Sequence, residues 1–351
     1  MIFDRKVIDS HVHITGSEEE TDRLFKEFDD LGVYGAALQS LAASPKYGIE
    51  QNLVMLKCKR DYKGIKLYAY GSLHETGIYA KIPYLKQAEA LLDMGCEGMK
   101  FLQMKPDLRK IVGKGVCHED YDPTFSMLEE RGIPVTMHVA DPYTFWDITK
   151  ISPASVARGW FYGDGTYMSY EEHYAEVFAM LDKHPKLKLT LAHLFFLDNN
   201  IDEARRVMEK YPNVSLDLTP HPAMYLSFAE NYDAWRSFFI DYQDRIIYGT
   251  DSHDERERQI NIHKTVFMTL TEKNEPFYMP AFYYDKQIYG FDLPSEVVDK
   301  IVCKNFESRI TPVPVNEGMM LDAAERMLRD IKDDPALEKN ASWLRSLLKS
   351  N

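Results

Sequence analysis

VIDSHVHI, residues 7–14, is a short apolar run that predicts a strand and carries two histidines. His11 and His13 leave the same face of this strand, because side chains two residues apart in a strand point the same way. Two neighbouring imidazoles can bind one metal ion, although a lone His-x-His pair is a weak signal that also arises by chance. Whether this histidine pair belongs to a metal site therefore depends on which residues the following strands carry.

Further apolar runs repeat this form and are separated by helical patterns. They cover residues 33–41, 66–74, 96–102, 134–140, 188–194, 214–219 and 246–252. Several are continuous rather than alternating, which is typical of parallel strands covered on both faces. Eight strand–helix units favour a closed (β/α)8 TIM barrel over an open doubly wound sheet, which usually has about five or six strands and a glycine-rich phosphate loop.

The domain organisation follows from this repeat and from its interruptions. We predict one barrel domain over residues 1–315 and a helical C-terminal tail over residues 316–351, packed on the outside of the barrel. The aromatic loop 141–171 is long enough to be functional, either as a lid over the substrate or as a subunit interface. A second aromatic segment, 276–294, is interpreted as packing or an oligomer contact, and we expect a homo-oligomer.

The composition narrows the class of protein. Hydrophobic residues make up 45% of the 351 residues, which is enough for a large core. Lys and Arg total 42 against 55 Asp and Glu, a net charge of −13 that argues against nucleic acid or an anionic membrane as the main partner. The four cysteines form no Cys-x-x-Cys pair and are interpreted as reduced thiols. Without a signal-peptide pattern or an apolar run near the roughly 18 residues of a membrane span, we expect a cytoplasmic protein.

Six polar side chains fall at the ends of the predicted strands. Besides His11 and His13 they are Lys100 in CEGMKFL, His138 in PVTMHVA, His193 in KLTLAHL and Asp251 in IIYGTDS. The C-terminal ends of barrel strands converge on one mouth, where such barrels build their active sites. Imidazoles and carboxylates are the ligands that zinc and similar divalent ions prefer. The sequence therefore predicts a metal centre at this mouth.

Two of these residues are also candidate catalytic groups. Asp251 can bind the ion, and it can accept a proton from a water molecule whose pKa a divalent ion has lowered. His193 would orient that water, polarise a substrate carbonyl, or act as the general base itself.

The constellation resembles the amidohydrolase superfamily, and within it the branch often called amidohydrolase-2. The resemblance covers residues 7 to about 310 and is carried by DSHVH, IPVTMHV, LKLTLAHL, PNVSLDLT, IIYGTDSH and VVDKIVCKNFESRI. The last of these is similar to the closing helix of that branch, with Asn305 at the position of its usual asparagine.

The resemblance implies roles for individual residues. The metal ligands of mononuclear members are matched by His11, His13, His138 and Asp251. His193 matches the histidine that activates water there. The resemblance implies a divalent metal cofactor, and we expect zinc, with manganese as the alternative, and one ion rather than two.

Lys100 leaves three alternatives open. In binuclear members of the superfamily a carboxylated lysine bridges two ions, and Lys100 stands at that position, where His193 would also bind metal. An unmodified ammonium has no lone pair and cannot bind a metal. Lys100 could instead hold a substrate carboxylate, or it could be a surface lysine out of register.

Further candidates for substrate contacts lie in the loops after the strands. They are His74, Arg158, Trp160, His221 and His253. An arginine can pair with an anionic group, and an aromatic loop can stack on a planar or sugar-like substrate. His74 could equally lie in a loop or cap a helix, and the arginine could be a solvated surface residue.

The predicted activity is metal-dependent hydrolysis of a small ester, lactone or amide. The alternative is metal-dependent, non-oxidative decarboxylation of a small unsaturated or aromatic carboxylic acid, which the same branch includes. Decarboxylase members typically follow ExHxH or HxHxxE, whereas here Asp9 precedes the histidines and Gly16 takes the place of the later acid. This departure weakens the decarboxylase interpretation. A non-catalytic metal-binding barrel is the rival from another class, but a structural zinc site would be closed by four ligands.

Overall fold

The computed structural model describes residues 3–14, 18–253, 256–279 and 283–349. Within them, eight strands form one parallel sheet in chain order. The strands are β1 (Ile8–Val12), β2 (Gly35–Gln39), β3 (Lys66–Ser72), β4 (Gly98–Met104), β5 (Val135–Val139), β6 (Leu189–Leu191), β7 (Ser215–Asp217) and β8 (Ile246–Ile247). Each predicted apolar run overlaps one of them, and the predicted TIM barrel is confirmed.

Helices connect and surround these strands. They are α1 (Glu18–Leu31), α2 (Gln51–Asp61), α3 (Tyr84–Met94), α4 (Pro106–Val112), α5 (Asp122–Glu130), α6 (Pro153–Ala157), α7 (Tyr170–Lys183), α8 (Ile201–Lys210), α9 (Pro222–Glu230), α10 (Tyr232–Asp241), α11 (Arg256–Thr271), α12 (Ser295–Asp299), α13 (Asn305–Arg309), α14 (Glu317–Ile331) and α15 (Glu338–Lys349). An antiparallel hairpin of β9 (Lys273–Met279) and β10 (Tyr283–Phe291) follows α11. The aromatic segment 276–294 lies partly in this hairpin and partly outside the described residues.

Local signals in the sequence explain where several helices begin and end. α3 ends at Gly95, whose φ of 113° is a left-handed conformation that glycine adopts without strain. α7 begins at a capping box in which Ser169 and Glu172 each bond the backbone N–H of the other. Such signals determine where each helix begins and ends, and therefore how long the loops between helices and strands are. The loop lengths in turn help to set where the polar residues at the strand ends lie.

The barrel closes between its first and last strands through a few backbone hydrogen bonds. Asp251 N donates to His11 O at 2.9 Å. His13 N donates to Ser252 O at 2.8 Å. Closure therefore brings the residues after β8 directly beside the end of β1.

The segment after α12 also bonds the backbone of β8 and of the residues next to it. A π-helical turn, Lys300–Lys304, leads into α13, and Tyr248 N donates to Ile301 O at 2.9 Å. The buried Asn305 amide donates to Gln243 O at 2.6 Å and to Ile246 O at 2.7 Å. These contacts replace the sheet pairing that a strand of two residues cannot provide.

The C-terminal tail contains α14 and α15, and α14 packs against α2 and α3 on the outside of the barrel. The division into domains at residue 315 stays a prediction. In the part of the chain that the structure describes, no helix has the length and apolar character needed to cross a membrane.

A buried ion pair fastens the segment just before this tail to the barrel. Lys59 pairs with Glu97, and their side chains are 8% and 0% exposed. The ammonium also donates to Gly95 O and to Val313 O, both at 2.7 Å. The carboxylate accepts from Ala69 N at 2.8 Å and from Val313 N at 3.1 Å.

Glu97→Gln should lower the free energy of unfolding by about 3–5 kcal/mol, because it leaves the Lys59 ammonium buried without a counter-charge. Urea unfolding followed by circular dichroism measures this change. The control is Glu317→Gln, which removes an exposed partner of Arg60 and should cost at most about 1 kcal/mol. Equal losses in the two variants would contradict the role given to the buried pair.

Candidate metal centre

Two histidines and an aspartate form the first part of the candidate centre. His11 Nε2 and His13 Nε2 lie 3.2 Å apart. Asp251 Oδ1 lies 3.1 Å from His13 Nε2 and 3.7 Å from His11 Nε2. The ligand atoms of the three residues all lie within 4.8 Å of one another. Of the four metal ligands predicted from the sequence, the structure brings these three together.

Hydrogen bonds on the far side of each ring set which nitrogen carries the proton. His11 Nδ1 donates to Asp217 Oδ2 at 2.9 Å, and His13 Nδ1 donates to Gln39 O at 2.7 Å. In a neutral ring this arrangement leaves the lone pair on Nε2, which faces into the centre. Burial, together with the nearby Lys100 ammonium, lowers the pKa of His11 to about 4, so this ring is neutral at pH 7.

His138 and His193 form a second pair beside the first. His138 Nδ1 and His193 Nε2 lie 3.2 Å apart. Their other nitrogens donate to the carbonyls of Ala140 at 2.9 Å and Thr219 at 3.3 Å. Burial lowers the pKa of both imidazoles. The rings of His11 and His193 have centroids 5.8 Å apart, so the two pairs are neighbours.

These nitrogens fit a divalent ion. The nitrogens of each pair lie 3.2 Å apart, close to the spacing of two imidazoles bound to one tetrahedral ion at about 2.0–2.1 Å, and burial lowers the pKa values of His11, His138 and His193. Neutral imidazoles with a carboxylate suit zinc and similar ions. His11, His13 and Asp251 would hold one ion, and His193, with its ring 5.8 Å from that of His11, brings the second pair beside it.

Asp251 is the most exposed member of the centre, with 38% of its side chain accessible. It lies beyond the end of β8, rather than at the strand end predicted from the sequence, and has a left-handed φ of 57°. Burial alone would raise the pKa of its carboxyl, but the neighbouring imidazoles of His13, His11 and His193 hold that pKa well below its usual range. The carboxylate is therefore ionised and within reach of solvent.

Lys100 lies inside the barrel, which contradicts the surface-lysine alternative. Its side chain is fully buried, and Nζ lies 2.8 Å from His11 Nε2. It stands within β4 rather than at its end, because the strand continues to Met104. Burial lowers its pKa to about 8, although the charges of Asp251 and Asp217 oppose the shift. A bridging carbamate and a cation for a substrate carboxylate remain as its two roles.

The turn that carries His193 has an unusual backbone. β6 ends at Leu191, and the 3-10 turn His193–Phe196 follows with φ values of 57°, 54°, 58° and 49°. A left-handed conformation costs roughly 1–2 kcal/mol for each residue other than glycine. All four side chains are buried, so packing and hydrogen bonds impose this conformation.

Asp217, at the end of β7, was not identified from the sequence. Its carboxylate accepts from His11 Nδ1 at 2.9 Å and from His193 N at 2.8 Å. Burial alone would raise its pKa, but the hydrogen bond from His11, the nearby His11 and His193 imidazoles and the contact with Thr219 together lower the pKa to about 2. The signal was present in PNVSLDLT, where an acidic residue closes an apolar strand.

Asp217→Asn should weaken metal binding by about 10–100-fold, because it removes the acceptor that fixes the His11 tautomer. Competition with a zinc-binding dye measures the affinity. The matched control is Asp182→Asn, which removes a surface carboxylate that bonds Lys210 and Tyr211. An unchanged zinc affinity in Asp217→Asn would show that the tautomer of His11 is fixed by other contacts.

The loop 141–171 begins beside His138. The Asp141 carboxylate lies 3.3 Å from His138 Nε2, accepts from Tyr162 Oη at 2.8 Å and from Lys105 Nζ at 2.9 Å. These contacts hold its pKa below the usual range, although burial acts in the opposite direction. The aromatic loop is thus anchored at the edge of the centre. Its role as a lid or an interface stays a prediction.

The residues predicted to contact substrate are more scattered. His221 lies close to the His193 turn, with Nε2 3.0 Å from Asp198 Oδ1 and its ring 5.0 Å from the Phe196 ring. His253 is half-buried just beyond Asp251. Both are near enough to the mouth to remain candidates.

The other candidates have partners outside the centre. His74 packs on Tyr79 with ring centroids 5.3 Å apart, and burial lowers its pKa to about 4. Among the contacts of the described residues, none joins His74 to the imidazole pairs. Arg158 is exposed, and its guanidinium lies 5.1 Å from the centre of the Trp160 ring. Arg158 and Trp160 therefore pack on each other in the aromatic loop.

An eight-stranded barrel with imidazoles and a carboxylate at its mouth is typical of metal-dependent enzymes. A family profile described as amidohydrolase matches residues 85–305, and the chain belongs to this family of enzymes, whose members generally depend on divalent metal ions. The comparison with curated proteins finds no match.

Similar solved structures share the fold. A 4-oxalomesaconate hydratase from Rhodopseudomonas palustris is 12% identical over 93% of this chain and 99% of its own, with a TM-score of 0.53. A probable 2-pyrone-4,6-dicarboxylic acid hydrolase from Acinetobacter baumannii is 11% identical over 86% and 98%, with a TM-score of 0.51. A 2,6-dihydroxybenzoate decarboxylase is 14% identical over 87% and 98%, with a TM-score of 0.50. At these identities the likeness concerns the fold alone.

Proposed function

We propose that this chain is a metal-dependent hydrolase that uses water to cleave a small ester, lactone or amide. The observation that carries the proposal is the pairing of buried imidazole nitrogens that lie 3.2 Å apart next to an ionised carboxylate. A divalent ion bound there supplies a Lewis acid and lowers the pKa of a water molecule.

The residues of the chain have separate parts in this chemistry. Asp251 is ionised and partly exposed, so it would accept the proton of the attacking water and release it to solvent or to the leaving group. His193 keeps the lone pair of Nε2 directed into the centre, where it would orient that water. His11 and His13 would hold the ion, and Asp217 and Gln39 keep their rings in the binding tautomer.

We expect one zinc ion for each chain, with manganese as the alternative. The Lys100 ammonium would then bind an oxygen of the substrate, and a carboxylate or an ester carbonyl would suit it. The pKa of about 8 also leaves part of this lysine as the neutral amine that reacts with carbon dioxide. Two ions would go with that carboxylated form.

The ratio of metal to protein tests this proposal. The chain is purified with zinc and bicarbonate and then measured by elemental analysis. A ratio near one supports the single-ion site, and a ratio near two supports a carboxylated Lys100. A chain that binds no divalent metal would exclude the proposed hydrolase.

Decarboxylation is the second candidate, and the buried Lys100 beside His11 is the observation that favours it, since a buried cation suits a carboxylate substrate. Against it, Asp9 does not face the centre. Its carboxylate accepts from the backbone N–H groups of His11 and Thr250, each at 3.1 Å. Oxygen-18 from solvent should appear in a hydrolysis product, whereas a decarboxylase releases carbon dioxide without incorporating it. A small-molecule substrate, a homo-oligomer and a cytoplasmic location remain predictions from the sequence.

A further inference from the structure

We propose that Tyr170 and Tyr174 are positioning residues that hold His193 in the centre by locking the left-handed turn His193–Phe196. The inference rests on the proposed function only in that His193 acts there. The two tyrosines belong to α7 and bond the backbone of the turn, not the side chains of the candidate metal ligands.

The two tyrosines are one helical turn apart and share one face of α7. Tyr174 Oη donates to Phe195 O at 2.6 Å, and Tyr170 Oη donates to Phe196 O at 2.8 Å. The two hydroxyl oxygens lie 2.6 Å apart. The two hydroxyl groups have two protons for three short contacts, one with each carbonyl group and one with each other. We therefore treat the two hydroxyl groups as one unit, which we call the tyrosine clamp.

The turn is fixed at both ends. At its start, His193 N donates to Asp217 Oδ1 at 2.8 Å. At its end, the tyrosine clamp holds the carbonyl groups. None of the turn residues is glycine, so local preference opposes the left-handed backbone, which persists only where the surroundings determine it. Asp217 holds only the start of the turn, and the tyrosine clamp holds its end.

The position of His193 depends on this turn. Its Nδ1 reaches Thr219 O, and its Nε2 reaches His138 Nδ1, because the backbone at His193 is left-handed. The Phe196 ring stacks on the imidazole at 4.9 Å with an angle of 19°. A turn that relaxes to right-handed geometry would move the imidazole and its stacking partner together. Burial raises the pKa of both phenols, so the clamp stays protonated across the working pH range.

The test is the double variant Tyr170→Phe/Tyr174→Phe, which removes both hydroxyls and keeps both rings. The ring nitrogens of ¹⁵N-histidine-labelled, zinc-loaded full-length protein are observed by NMR, and His193 is assigned from the spectrum of His193→Gln. The unchanged chain should give one set of His193 signals with the proton on Nδ1. The double variant should give broadened or averaged His193 signals, and unchanged signals would overturn the proposal.

The matched control is Tyr211→Phe. Tyr211 is buried, and its hydroxyl donates to Asp182 Oδ1 at 2.9 Å, at the opposite end of α7 from the clamp. This variant should leave the His193 signals as they are in the unchanged chain. If it broadens them as the double variant does, the effect is general to lost hydroxyls and the proposal fails.

A glycine in the turn separates strain from simple packing. Leu194→Gly, added to the double variant, removes the cost of the left-handed backbone at one position and should restore a single set of His193 signals. Signals that stay averaged would overturn the proposal. The single variants Tyr170→Phe and Tyr174→Phe should show intermediate broadening, and they replace the double variant if it does not fold. Zinc content, measured on the same samples, reports on the proposed function independently of the clamp.

Discussion

Replacing His13 with alanine should remove most of the bound divalent metal and the activity together. The variant lacks the Nε2 atom that lies 3.2 Å from His11 Nε2 and 3.1 Å from Asp251 Oδ1. Loss of an outer hydrogen-bond partner already weakens a metal site by about 10–100-fold. Loss of a direct ligand should exceed the upper end of that range. Elemental analysis after gel filtration, with a zinc titration, measures the change.

The control for this variant is His173→Ala. His173 is also fully buried, but its Nδ1 donates to Ser169 O at the start of α7. Its removal should leave the metal content unchanged even if stability falls. Full activity in His13→Ala protein that has been stripped of metal would end the metalloenzyme interpretation, whatever the fold.

The fold and part of the centre could be predicted because both follow from local patterns. Continuous apolar runs mark strands that are covered on both faces, and their number favours a closed barrel. His11, His13 and Asp251 lie near the junction of the first and last strands. Barrel closure joins those strands, so their proximity could be inferred without coordinates.

The other features of the candidate centre depend on tertiary contacts that cannot be recognised from local sequence patterns. Nothing in KLTLAHL indicates that the residues from His193 onward are left-handed, since the sequence has no glycine there. Asp217 acts through an imidazole that is distant in sequence. Lys100 was placed at a strand end because the run 96–102 ended too early, whereas β4 continues to Met104.

Loop residues were the least predictable. Arg158 and Trp160 were chosen for their chemistry, but they pack on each other in the aromatic loop. That His138 shares an ion with His11 and His13 stays a prediction. In the structure His138 Nδ1 lies 3.2 Å from His193 Nε2, an orientation that Ala140 O and Asp141 fix from the far side of the ring.

Asp251→Asn should lower the turnover number by about 10²–10⁴-fold, the range expected when a general base is removed. The amide keeps the shape of the side chain, and its oxygen can still face the ion, but it cannot take up a proton at neutral pH. The rate is measured on a panel of lactones and aryl esters at saturating zinc. Metal content is determined on the same sample, so that loss of the ion and loss of the base are not confused.

Asp241→Asn is the control, because Asp241 is exposed and bonds only Arg205 and Ser237 among the contacts of the described residues. It should turn over substrate at the rate of the unchanged chain. The decisive comparison is the pH dependence of the two variants. If Asp251 is the base, hydroxide supplied at high pH should recover part of the lost rate in Asp251→Asn, with no such gain in the control. An unchanged rate in metal-loaded Asp251→Asn would remove Asp251 from proton transfer and leave His193 as the group that activates water.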